Sequence, residues 1–90
     1  MMNKGQVVSV VTMAGESVGK LNNTGGGSIT LDDPRMLVYG EGGNMGFARG
    51  VCMTGEDSPD EITIQNYVFF TATNDEVAKA YRQATSGLIT

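Results

Sequence analysis

Residues Ile29–Gly40 (ITLDDPRMLVYG) read as a β-strand at both ends and not in the middle. Ile29 and Leu31 alternate with Thr30, and Met36–Tyr39 are apolar, the patterning of a half-buried strand. Between them stand Asp32, Asp33 and Pro34. Proline cannot donate to a hydrogen-bonded ladder, so within a sheet it is confined to edges and bulges. The stretch is therefore a hairpin, an acidic site or one long strand that bends, and its surroundings choose between them.

Gln6–Met13 (QVVSVVTM) is valine-rich and flanked by Gly5 and Gly15, which predicts a first strand. A turn at AGES and a short second strand over Val18–Asn22 follow, then a polar, glycine-dense loop over Asn23–Gly27. GEGGN (Gly40–Asn44) is a further turn. Met45–Met53 alternates, with Met45, Phe47, Val51 and Met53 on one face. Thr54–Glu61 is an acidic loop. Ile62–Thr71 (ITIQNYVFFT) is strongly β, with Ile62, Ile64, Val68 and Phe70 on one face. Asn66 interrupts that face, so two strand pieces meet at a sharp bend over Gln65–Tyr67. The tail differs: Val77, Tyr81, Ala84 and Leu88 recur at helical spacing behind a capping box of Thr73 and Glu76. A helix is expected over residues 74–86, with Lys79, Arg82 and Gln83 on its solvent side.

About five short strands with tight turns and then one helix, in 90 residues, predict a mainly β fold: a small, strongly bent five-stranded barrel with a C-terminal α-helix. One strand of such a barrel must curve to serve both halves, and bulges are how strands curve. Asp32-Asp33-Pro34 is then the bend of a long third strand, with its carboxylates toward solvent. A chain of this length forms one domain, spanning residues 1–90, with the barrel over about 6–72. Its core is marginal, which favours self-association.

Cys52 is the sole cysteine and there is no histidine, so neither an intrachain disulfide nor a zinc site is expected. The opening MMNKGQVVSVV is too short and broken an apolar run for a signal or a membrane span, which points to the cytoplasm. No cofactor is expected. Nor is an enzyme: the abundant serines and threonines lack the usual histidine base. Asp32 and Asp33 are adjacent on a strand and point to opposite faces. Gly25–Gly27 is followed by a strand and no Lys-Ser/Thr, so it is not a phosphate loop. Asp57, Asp60 and Glu61 do not have calcium-loop spacing. The net charge is −4 with six lysines and arginines, which argues against non-specific nucleic-acid binding.

Three segments together resemble the Sm-like family: VVTMAGESVGKL (Val10–Leu21), SITLDDPRMLVY (Ser28–Tyr39) and EITIQNYVFFTA (Glu61–Ala72). The first resembles the strand, glycine turn and second strand that open the Sm motif. The second resembles the strand that ends it, and the third the strand–turn–strand of the second motif. The chain is most similar to small, uncharacterised phage-encoded proteins of Sm-like type, through Ala14-Gly15-Glu16, Asp33-Pro34, Ile62-Thr63-Ile64 and Tyr81. This implies a homo-oligomeric ring of about five to seven subunits, in which the fourth strand of one copy pairs with the fifth of the next. It also implies single-stranded RNA at two loops, in the cytoplasm of a bacterial host.

Those loops map to Asn22, Asn23 and the glycines that follow, and to Gln65, Asn66 and Tyr67; a rival register places Arg49-Gly50 at the second. Asn22, Asn23, Gln65 and Asn66 suit base edges or plain turn chemistry. Tyr67 stacks a base or fills an interface or core. Arg49 meets a phosphate or pairs with Glu41 or Asp57. The helix follows the last strand here, whereas in the family it precedes the first. Two functions follow: an RNA-binding ring or RNA chaperone, or a ring-forming adaptor for protein partners.

Overall fold

The computed structural model describes residues 3–39, 45–48, 55 and 59–85. The chain forms an antiparallel six-stranded sheet and one C-terminal helix. The elements are β1 (Val7–Thr12), β2 (Gly15–Gly25), β3 (Ser28–Tyr39), β4 (Met45–Phe47), β5 (Glu61–Gln65), β6 (Phe69–Ala72) and α1 (Asp75–Thr85). The hydrogen-bonded order is β4-β3-β2-β1-β6, with β5 also on β3. The sheet is strongly bent and does not close.

The bend is where the sequence places it. β3 is one continuous strand through Asp32-Asp33-Pro34. Asp33 takes a positive φ of 49°, and Pro34 is fully buried. Ahead of the bend Ser28–Asp32 pair with β5; beyond it Leu37–Tyr39 pair with β4. β4 and β5 thus line the same side of β3 in succession. The Ala48 amide donates to the Met36 carbonyl at 2.8 Å, and the Asp33 amide to the Asp60 carbonyl at 2.8 Å. β4 covers only the start of the stretch expected to alternate over Met45–Met53, whose part beyond Ala48 lies outside the described residues, and the described residues form six strands where about five were expected.

The two aspartates are not simply solvated. The Asn22 side-chain amide donates to Asp32 Oδ1 at 3.0 Å, and Lys20 Nζ lies 3.8 Å from Asp33. That ion pair is half-exposed and adds little stability.

β2 runs from Gly15 to Gly25, well beyond the expected Val18–Asn22. Glu16 and Ser17 pair with Val11 and Val10, and Asn23 and Thr24 with Thr30 and Ile29. The polar loop therefore shrinks to Gly26-Gly27, whose φ values of 59° and 83° suit a two-residue hairpin turn. Propensity misled here: asparagine and glycine are poor strand formers, but pairing of Asn23, Thr24 and Gly25 with β3 holds them in the ladder. Gly19 has another role. A Cβ there would sit 2.9 Å from the Leu31 Cβ, so only glycine lets β2 pass this close to β3.

The core divides in two. Val8, Val10, Leu21, Ile29 and Leu31 form one cluster, closed by Ile62, Ile64, Tyr67 and Phe70. These come from strands and the turn before β6, so the cluster lies inside the bend. Val7, Val18, Ala78 and Tyr81 form the second, with Leu37 and Phe47. Here α1 covers the other face of β1 and β2. Alternation explains the split: Val8 and Val10 face inward, Val7 outward to the helix. Val68 departs from its expected face and is 58 % exposed, because the positive φ of Asn66 (56°) breaks the alternation before it.

The start of α1 also differs from expectation. Asn74, not Thr73, caps it: the Val77 amide donates to Asn74 Oδ1 at 2.9 Å. The Thr73 hydroxyl is engaged elsewhere, 2.7 Å from that of Ser9. Asp75 and Glu76 in the first turn and Arg82 in the last complement the helix dipole. Ala78 and Tyr81 are buried, whereas Ala84 is exposed and Leu88 lies outside the described residues.

Candidate functional site

Two turns meet at one end of the sheet. The Gly26-Gly27 hairpin joins β2 to β3, and Asn66–Val68 joins β5 to β6. Ser28 pairs with Gln65, and the Asn66 amide donates to the Gly27 carbonyl at 3.2 Å. Asn66 adopts the left-handed conformation, which asparagine tolerates better than most residues. The chain can therefore reverse there and hand β6 over to β1.

Residues far apart in sequence are thereby gathered. Asn23 pairs with Thr30, and the Thr30 and Thr63 hydroxyls lie 3.1 Å apart. Asn23, Gln65 and Asn66 are exposed. The result is a neutral surface of amides and hydroxyls, able to donate and accept hydrogen bonds. Asn22 belongs to a different environment, since its amide is engaged by Asp32. Tyr67 is half-buried against the inner core. Its ring meets Phe70 edge-on, with centroids 5.4 Å apart. Arg49, Glu41 and Asp57 lie outside the described residues, as does Cys52.

The sheet leaves two edges without a strand partner among the described residues. The hydrogen bonds at Asp33–Asp60 and Gly27–Asn66 set the alternation along β5. Ile62 and Ile64 bond to β3, so Glu61, Thr63 and Gln65 turn their backbone groups outward. On β6 the Thr73 amide donates to the Val7 carbonyl at 3.1 Å, and by the same alternation Phe70 and Ala72 point away from β1. Phe69 is 52 % exposed beside this second edge. The sequence named β5 and β6 but showed neither edge, because pairing partners are a tertiary property.

An open groove of about 290 Å³ runs past Thr12, Ser17, Met36, Ile62 and Ile64. The Ser17 hydroxyl is used internally, donating to the Met36 sulfur at 3.0 Å. Among the described residues, no group of three or more acidic or cysteine side chains is placed to hold a metal ion. No helix among them is long and apolar enough to cross a membrane.

No protein-family model matches this chain, and no curated protein matches it either.

Proposed function

We propose that this chain is an Sm-like, ring-forming protein that binds single-stranded RNA where its two turns meet. One observation carries the reading: the Asn66 amide ties the β5–β6 turn to the Gly26-Gly27 hairpin. These are the two segments that the resemblance assigns to RNA. The strongly bent sheet supports it further, being compatible with a small β-barrel-like fold. So do the edges, since β5 of one copy can add to β6 of the next. Such a contact joins two different surfaces and closes into a ring when the rotation fits. Asn23, Gln65 and Asn66 supply hydrogen bonds to base edges, and Arg49 is the candidate for a phosphate.

A second reading is a ring that binds proteins. The half-buried Tyr67 and the amide of Asn22, already bonded to Asp32, favour it, because both leave less to contact a base.

Light scattering, followed by binding of oligo-uridine at low and moderate salt, separates the two. A discrete mass with salt-sensitive binding, weakened in Gln65→Ala and Arg49→Ala, supports the RNA ring. A discrete mass without binding selects the adaptor. A monomer overturns both.

A further inference from the structure

The bend of β3 is a strained element held from outside the strand. Asp33 carries a φ of 49° and directly precedes Pro34. A residue before proline is steered toward extended backbone, and left-handed φ is unfavourable for any residue with a Cβ. Such a conformation persists where its surroundings over-determine it. At Asp33 the constraints converge from two sides. Its amide donates to the Asp60 carbonyl at 2.8 Å. Its carbonyl accepts the Tyr81 hydroxyl at 2.6 Å, and the Asp32 carbonyl lies 3.3 Å from the same oxygen.

Tyr81 reaches both halves of β3. Its hydroxyl bonds ahead of Pro34. Its ring meets Phe47 edge-on, with centroids 6.0 Å apart, and Phe47 pairs with Leu37 beyond the bend. The side chain is fully buried. β5, whose outer side has no strand partner among the described residues, is attached to the half ending at Asp32. The angle at Asp33 therefore helps set where that edge lies relative to the β6 edge.

We propose that α1 controls assembly: docked Tyr81 holds β3 at the bend that places the β5 and β6 edges for pairing with further copies of this chain. The inference rests on the ring reading above. Release of α1 frees the Asp33 carbonyl, relaxes the bend and removes the angle that ring closure requires. Tyr81 is thus a positioning residue, acting through the strand and touching neither edge.

The test uses the full chain as wild type, Tyr81→Phe, and Tyr81→Phe combined with Asp33→Gly. Phenylalanine keeps the ring and loses the hydroxyl. Hydrogen exchange at the Asp33 amide should quicken roughly fivefold, the effect of one lost hydrogen bond. Light scattering should show the discrete ring mass lost or spread to smaller species. Glycine adopts positive φ without strain, so the double variant should regain the ring mass. Unchanged exchange in Tyr81→Phe overturns the latch. Faster exchange with the ring mass intact overturns the control of assembly and leaves the ring standing. A monomeric wild type shows instead that the ring reading itself has failed, and the control falls with it. Failure of glycine to restore the mass overturns the role assigned to the Asp33 backbone.

Discussion

The Tyr81 hydroxyl donates a 2.6 Å hydrogen bond to the Asp33 carbonyl, 48 residues earlier in the chain. It joins α1 to the bend of β3. Tyr81→Ala removes the largest side chain fully buried among the described residues and this anchor together. A loss of about 3–5 kcal/mol is expected, near the total stability of so small a domain. Tyr81→Phe should cost only about 1 kcal/mol. Urea denaturation followed by circular dichroism distinguishes the two.

The same phenol predicts an alkaline limb. Burial, and then the nearby Asp33 carboxylate, push its pKa up from 10.0 to about 12. The folded state therefore holds this proton more tightly than the unfolded state does. The resulting stability is complete below pH 10 and is lost as pH rises through about 12, because the unfolded chain alone ionises in that window. The loss should approach about 2–3 kcal/mol. Tyr81→Phe should lack this part of the pH dependence, and an identical slope in the variant would assign the limb to other groups.

Gly19→Ala should destabilise the sheet by about 1–3 kcal/mol, because its Cβ would press on Leu31 Cβ at 2.9 Å and the Asp32 carbonyl at 3.2 Å. Gly27→Ala meets nothing within 4 Å but must adopt a φ of 83°. Its cost, about 1 kcal/mol, arises from backbone strain alone. Melting temperatures of the two variants should rank in that order.

Asn74→Ala should lower stability by about 1 kcal/mol through loss of the helix cap. Thr73→Val tests a different bond. It leaves the buried Ser9 hydroxyl without its partner, at a cost of about 1–3 kcal/mol. Helical ellipticity should fall at sub-denaturing temperatures in Asn74→Ala and hold in Thr73→Val. If Thr73→Val frays the helix instead, Thr73 caps it in solution.

Local patterns carried much of the fold. Valines at Val7–Val11 and the alternation of Ile62 and Ile64 mark strands whatever surrounds them, because side-chain period and β-branching are local properties. Asp33-Pro34 marks the bend for the same reason: proline has no amide to give a ladder. The helical spacing of Val77, Tyr81, Ala84 and Leu88 required no partner to be recognised, although Ala84 is exposed and Leu88 lies outside the described residues. Legibility failed where a residue's role depends on a neighbour distant in sequence. Thr73 has the chemistry of a cap, but Ser9 takes its hydroxyl. Asn23 and Thr24 have the composition of a loop, but β3 draws them into a strand. Val68 fits the inner face by number, but the left-handed Asn66 turns it out. The candidate site shows the same division. Asn22, Asn23, Gln65 and Asn66 look alike in the sequence as amides at turns, whereas the fold exposes the last three and engages Asn22 with Asp32.

The sequence by itself determined that this chain is mainly β, sharply bent at Asp33-Pro34 and closed by an amphipathic helix. Each of those rests on intrinsic backbone and side-chain preferences within a few residues. Only the tertiary structure decided that β4 and β5 share one side of β3, that the outer sides of β5 and β6 have no strand partner among the described residues, and that Tyr81 secures the bend. Those depend on which groups far apart in the chain satisfy one another's hydrogen bonds and cover one another's apolar surface, and no local preference encodes that choice.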